Sequence, residues 1–231
     1  MTCTDQALLR LLQLTDSAFP TGAFAHSFGL ETYVARGRVY SATGLEEFIS
    51  NTLLNALAPS DGVAGAAAYR AEDGWGDVVR ELDQRLTAMK TVSEFRQASR
   101  ALGLRFLRTA TQLLTLPRGA SYLGAVDAKR LDGHFSLAYG LVCRDLECPL
   151  APALAAWFRQ SCAAFISVGV RLIPLGQTEG QALLARLGAP ILDAVELALA
   201  RDTDDLASFA PGQELAGIIH RDVLTTRLYI S

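Results

Sequence analysis

The amino-acid sequence predicts an all-α protein, a single compact multi-helix domain of about ten helices over residues 1–231. Three observations predict it. Apolar residues recur at helical spacing along almost the whole chain, sustained period-two alternation is hard to find, and prolines fall between the periodic stretches. With 231 residues, half of them hydrophobic and 19% charged, and a mean hydropathy of +0.23, the chain can bury a substantial core. That apolar excess implies either unusually much hidden surface or surface shared with partners.

The first singular stretch, "LLQLTDSAFPTGAFAHSFGLE" (11–31), is read as a helix from near Thr21 to near Gly37. Such a helix places Phe24, Phe28, Glu31 and Ala35 along one face and His26, Leu30 and Tyr33 on another. A carboxylate at the end of so apolar a helix costs several kcal/mol if buried unpaired, so an arginine of this chain or another is expected to meet Glu31. Next comes "TGLEEFISNTLLNAL" (43–57). Thr43 and Glu46 are expected to form a capping box, with Leu45, Phe48, Ile49, Leu53, Ala56 and Leu57 as the buried stripe and Pro59 as the stop.

Further helices are expected at about 77–89, 92–116, 119–130, 134–146, 150–172, 178–187, 190–201 and 213–226, with Pro117, Pro149, Pro174, Pro190 and Pro211 marking several breaks. The 150–172 helix contains "SCAAFISVGV", apolar nearly all round, and is expected to be central. No linker, low-complexity tract or fixed-period repeat divides the chain.

Several function classes are disfavoured. The longest charge-free run, Ser17–Leu30, is shorter than a bilayer crossing needs and is interrupted by Pro20 and Gly22. "MTCTDQALLR" has no basic region followed by an apolar one, so a cytoplasmic location is expected. Cys3, Cys143, Cys148 and Cys162 lack paired zinc-site spacing and read as reduced, packed thiols. A net charge of −3 disfavours nucleic acid, and the basic stretch from Arg80 to Arg108 is interleaved with Glu81, Asp83 and Glu94 as on a solvated helix face. Neither lysine, Lys90 or Lys129, follows a glycine, which excludes a phosphate-binding P-loop. His26, His134 and His220 are isolated in sequence, so no metal site and no cofactor is expected.

Three places invite a functional reading. "AHSFG" (25–29) has the form of a hydrolase nucleophile turn, and Asp204 or Asp205 followed by His220 would complete a triad around Ser27. That chemistry needs a buried strand before the serine, and the pattern offers none. In "VRLIPLGQTEGQALLARLG" (170–188), Arg171 suits the C-terminal dipole of the central helix, Thr178 can cap a new helix, and Gln177 and Gln181 lie one turn apart beside an open helix N-terminus. The end of the chain leaves Leu228, Tyr229 and Ile230 beyond the last helical stripe, an apolar tail that a groove on a partner would order.

Together with "HFSLAYGL" (134–141) and "APGQELAGIIHRDVLTTRLYIS" (210–231), these segments resemble the urease accessory protein F (UreF) family, in the family's order and across nearly the whole chain. The resemblance implies a dimer-forming helical protein with no enzymatic chemistry of its own. Such a protein acts with a UreD/UreH-type accessory protein to recruit the UreG GTPase to apo-urease and couples GTP hydrolysis to nickel insertion. It implies partner-binding roles for Glu31, Arg171, Gln177 and Gln181 on the GTPase-facing side, and for Arg227, Leu228 and Tyr229 in a tail that orders on the UreD-type protein. An intrinsic nickel-binding chaperone is the alternative, beside the serine hydrolase. The tail departs from the family's common pattern, which reads His-Glu and ends Arg-Leu-Phe-Arg-Ser: here His220 is followed by Arg221, and the chain ends "RLYIS".

Overall fold

The computed structural model describes residues 4–22, 25–72 and 75–230, and among them there is no strand. The all-α reading therefore holds. Helix α1 (Asp5–Leu14), absent from the expected set, forms because Thr4 accepts the Ala7 N–H (3.2 Å) and Ala7, Leu11 and Leu14 bury one stripe. After a short helix α2 (Leu30–Ala35), α3 (Ala42–Thr52) is capped by the Ser41 hydroxyl on the Gly44 N–H (3.2 Å). The expected Thr43–Glu46 capping box does not form, because the cap lies two residues earlier and Glu46 pairs with Arg186 at 2.8 Å.

Pro59 does not stop this helix. A π-helical segment, Leu53–Gly62, carries the chain through it into α4 (Val63–Arg70). A proline ring clashes with the carbonyl four residues back and removes one donor. Here the wider turn moves that carbonyl, on Asn55, outward to accept the Phe209 N–H (2.8 Å), while the Pro59 carbonyl accepts from Ala207 (3.1 Å). The distant 206–210 segment thus satisfies what the proline disrupts.

The remaining helices are α5 (Asp77–Met89), α6 (Ser93–Leu113), α7 (Pro117–Asp127), α8 (Phe135–Asp145), α9 (Leu150–Leu172), α10 (Gln177–Arg186), α11 (Gly188–Ala200), α12 (Pro211–Ile218) and α13 (His220–Val223). One apolar cluster runs through them from Ala7 to Tyr229. Two helices organise it. Every residue of α8 from Ser136 to Cys143 is buried, and α4 crosses it so closely that a Cβ on Gly140 would lie 2.2 Å from the Gly65 carbonyl oxygen. Helix α9 packs against α1, α2, α3, α8, α10 and α11, as its apolar circumference implies. It is long and apolar enough to cross a membrane, yet half of its most apolar window is buried against these neighbours.

The core also holds a polar node. Asp83, 2% exposed, accepts Tyr122 Oη–H (2.9 Å) and the backbone N–H groups of Asp132 (2.5 Å), Gly133 (3.0 Å) and His134 (3.4 Å), pinning the turn that leads into α8. Thr87 donates its hydroxyl proton to Asp132, so it accepts from His134 Nε2–H at 2.9 Å, and Nδ1 takes the Ser99 hydroxyl at 2.9 Å. Burial and the Lys90 ammonium hold His134 neutral, its pKa pushed down to about 4.

Candidate partner-binding site

The loop before α2 reaches it through two residues at positive φ, Phe28 (47°) and Gly29 (86°), so the helix begins at Leu30 and not near Thr21. Gly29 is required here: its φ is left-handed, and a Cβ would press on the Gln213 carbonyl oxygen at 3.1 Å. Phe24, assigned above to one helical face, lies outside the described residues.

Glu31 sits in the first turn of α2 and is only 5% exposed. Among the described residues no arginine meets it. Its Oε1 accepts the Leu228 N–H at 2.8 Å, its Oε2 accepts the Tyr229 N–H at 3.2 Å, and His220 Nε2 stands 3.7 Å from Oε2. Two adjacent backbone amides form a charge-assisted fork for a carboxylate, which supplies the compensation expected from a guanidinium. The end of the chain is therefore a strap laid across α2. Ile230 N–H adds a bond to the Ala25 carbonyl (2.9 Å), and Tyr229 is buried, its hydroxyl accepting from Arg171 Nη1 at 3.4 Å. Contrary to expectation, this tail is ordered by its own chain. Leu228 and Ile230 flank Tyr229 with 67% and 60% exposure.

His220 is fully buried between α2 and the strap, with Nδ1 3.0 Å from Thr32 Oγ1 and Nε2 3.4 Å from the Tyr229 carbonyl oxygen. It opens α13, because the 213–226 stripe is two helices broken at Ile219. The sequence offers His220 as an isolated histidine and as the third member of a triad on Ser27, not as a contact of the strap. The continuous apolar stripe around it was a signal for burial, whereas its partners Thr32 and Tyr229 are invisible in local sequence.

The hydrolase reading has no support in this geometry. Ser27 is fully buried, no strand precedes it among the described residues, its hydroxyl accepts the Glu31 N–H at 3.5 Å, and His220 is engaged by Thr32. Among the described residues no three His, Cys, Asp or Glu side chains form a group able to hold a metal ion. Cys143, Cys148 and Cys162 are buried thiols, and burial raises Cys162 to about 12; Cys3 lies outside the described residues. A cleft of about 210 Å³ opens between the π-helical segment, α9 and α12. Phe28, Phe95 and Phe165 form one wall, and the Lys90–Asp61 ion pair (2.5 Å) sits within it. Burial works to raise the Asp61 carboxyl, but Lys90, His134 and Ser136 outweigh it and hold it below the usual carboxylate range.

The UreF family model matches residues 39–188. A urease accessory protein UreF of Arthrobacter sp. is 39% identical over 92% of each chain. Relatives of the same name from Lachnoclostridium phytofermentans (36% identical over 98% of this chain and all of its own) and Haemophilus influenzae (35% identical over 96% and 94%) are also similar. The chain belongs to the UreF family.

Within the family-model match lie Arg171, in the last turn of α9, and Gln177 and Gln181, exposed on α10. Gly176, not Thr178, occupies the N-cap of α10, so Thr178 stands inside the helix. Glu31, Arg227, Leu228 and Tyr229 fall outside the residues matched by the UreF model. The fold joins Arg171, Glu31 and Tyr229 into one cluster. No hydrogen bond among the described residues ties Gln177 or Gln181 to it, and Arg227 is exposed. Arg221, the departure from the common UreF tail, pairs with Glu94 at 3.0 Å.

Proposed function

We propose that this UreF-family protein is a non-enzymatic, cytoplasmic assembly factor for the nickel centre of urease. Acting as a homodimer with a UreD/UreH-type accessory protein, it recruits the UreG GTPase to apo-urease and couples GTP hydrolysis to nickel insertion. The observation that carries this reading is the meeting of Arg171, Glu31 and Tyr229. Residues that the family resemblance allots to two different partners share one hydrogen-bonded cluster. Arg171 offers a guanidinium at the surface, a residue type that anchors protein partners, and Gln177 and Gln181 add exposed amides on α10.

The test is capture of the purified GTPase by the complex of this chain with its UreD-type partner. Arg171→Ala is expected to weaken capture by roughly 30-fold, the loss of a central arginine anchor, with helicity unchanged. Wild-type capture by both Arg171→Ala and a Gln177→Ala/Gln181→Ala variant would remove the GTPase surface from α9 and α10.

A further inference from the structure

Glu31 is too enclosed to be read directly. Its two carboxylate oxygens are taken by the Leu228 and Tyr229 amides, His220 closes the remaining side, and 5% of the residue is exposed. An incoming cation could reach it only by displacing the strap. We propose that Glu31 and His220 are positioning residues that seat the C-terminal strap, residues 224–230, and that Glu31 influences the GTPase only through that strap. The link to the GTPase rests on the function proposed above; the seating itself does not.

Hydrogen-bond bookkeeping gives His220 a defined part. Its Nε2 faces two acceptors, the Tyr229 carbonyl oxygen and the Glu31 carboxylate, so a proton belongs on Nε2, and in that tautomer Nδ1 accepts from the Thr32 hydroxyl. The opposite tautomer would set a lone pair against both oxygens. The imidazole thereby joins α2 at Thr32 to the strap at Tyr229, while the Glu31 carboxylate grips the two peptide N–H groups on either side of Leu228. Seated this way, Tyr229 brings its hydroxyl to Arg171 in the last turn of α9. The strap thus touches both α2 and Arg171. Its seating fixes a side chain of the proposed GTPase surface.

Amide hydrogen exchange on the full-length protein reads the seating without any partner. Glu31→Gln, which leaves one oxygen for two amides, should speed exchange at residues 228–230 by about 10- to 100-fold, the range for losing a hydrogen bond to a charged group. His220→Asn keeps a group near the Nδ1 position and loses the strap bond, whereas His220→Gln reaches toward the Nε2 position; exchange should therefore rise more in the first. If the His220 variants do not fold, Glu31→Gln decides the question. Unchanged exchange at 228–230 in Glu31→Gln would overturn the seating role.

GTPase capture then tests the route. In the intact chain Glu31→Gln should reduce capture, and in a chain ending at Arg227 the same change should cost nothing further. An equal loss in both backgrounds would mean that Glu31 meets the GTPase directly and would overturn the proposal. Absence of capture by the wild-type complex would instead count against the proposed function, with the exchange result still standing for the strap.

Discussion

Replacing Asp83 by alanine is expected to lower the stability of the fold by about 3–5 kcal/mol, the range for stripping a buried charged partner from its hydrogen-bonding groups. Four donors converge on this one carboxylate: the Tyr122 hydroxyl and the amides of Asp132, Gly133 and His134. The 128–134 turn passes through left-handed geometry at Lys129 (φ 57°) and Gly133 (φ 82°), and among the described residues the amides of Asp132, Gly133 and His134 have no backbone acceptor. The same turn packs against α6 with no slack, since a Cβ on Gly103 would lie 2.0 Å from the Gly133 carbonyl oxygen. Loosening it should therefore shift the start of α8, the most completely buried helix. Urea denaturation of Asp83→Ala against wild type measures the loss. Asp83→Asn, which keeps one acceptor oxygen, should fall between the two.

Lys90→Ala is expected to cost a similar amount, about 3–5 kcal/mol near neutral pH, because it leaves the Asp61 carboxylate buried without its cation. It should also change how stability depends on pH. In the wild type His134 has a folded pKa near 4 against 6.5 for the free side chain, and the Asp61 carboxyl lies below its ordinary 3.8. For both groups the unfolded chain binds protons more readily, so stability is lost as pH falls, through 6.5 to about 4 for His134 and below 3.8 for Asp61. Without Lys90, burial becomes the dominant influence on Asp61 and raises its pKa. A raised carboxyl is more stable protonated in the fold, so that part of the variant's stability is present in acid and declines as pH rises. Removal of the ammonium also lets His134 charge more easily. Denaturation midpoints between pH 4 and 8 should show a flatter acid limb for Lys90→Ala than for wild type.

Much of the fold was legible in the sequence where local rules decide it. The expected 77–89 and 150–172 helices match Asp77–Met89 and Leu150–Leu172, because apolar spacing and flanking Gly76 and Pro149 act on their own neighbours. Pro59 defeats the same rules, since the amides that satisfy the Asn55 and Pro59 carbonyls, on Phe209 and Ala207, lie about 150 residues away. The tail region was read as one helix over 213–226 because its apolar stripe is continuous, while the break at Ile219 lets His220 face Thr32.

Family resemblance pointed to Glu31, Arg171 and Tyr229 singly. Their convergence was not legible, because the groups that satisfy Glu31 are backbone amides, and any residue but proline carries one. The demand that Glu31 be compensated was sound. The compensating chemistry came from the strap.

The function proposed for this UreF-family chain is to present surfaces to other proteins without performing a reaction itself. The most direct measurement is urease activity after purified apo-urease is incubated with nickel, GTP, the GTPase and the UreD-type protein, with and without this chain. Urease should gain activity only when the chain is present, and Arg171→Ala should diminish the gain. Equal activation in its absence would contradict the claim.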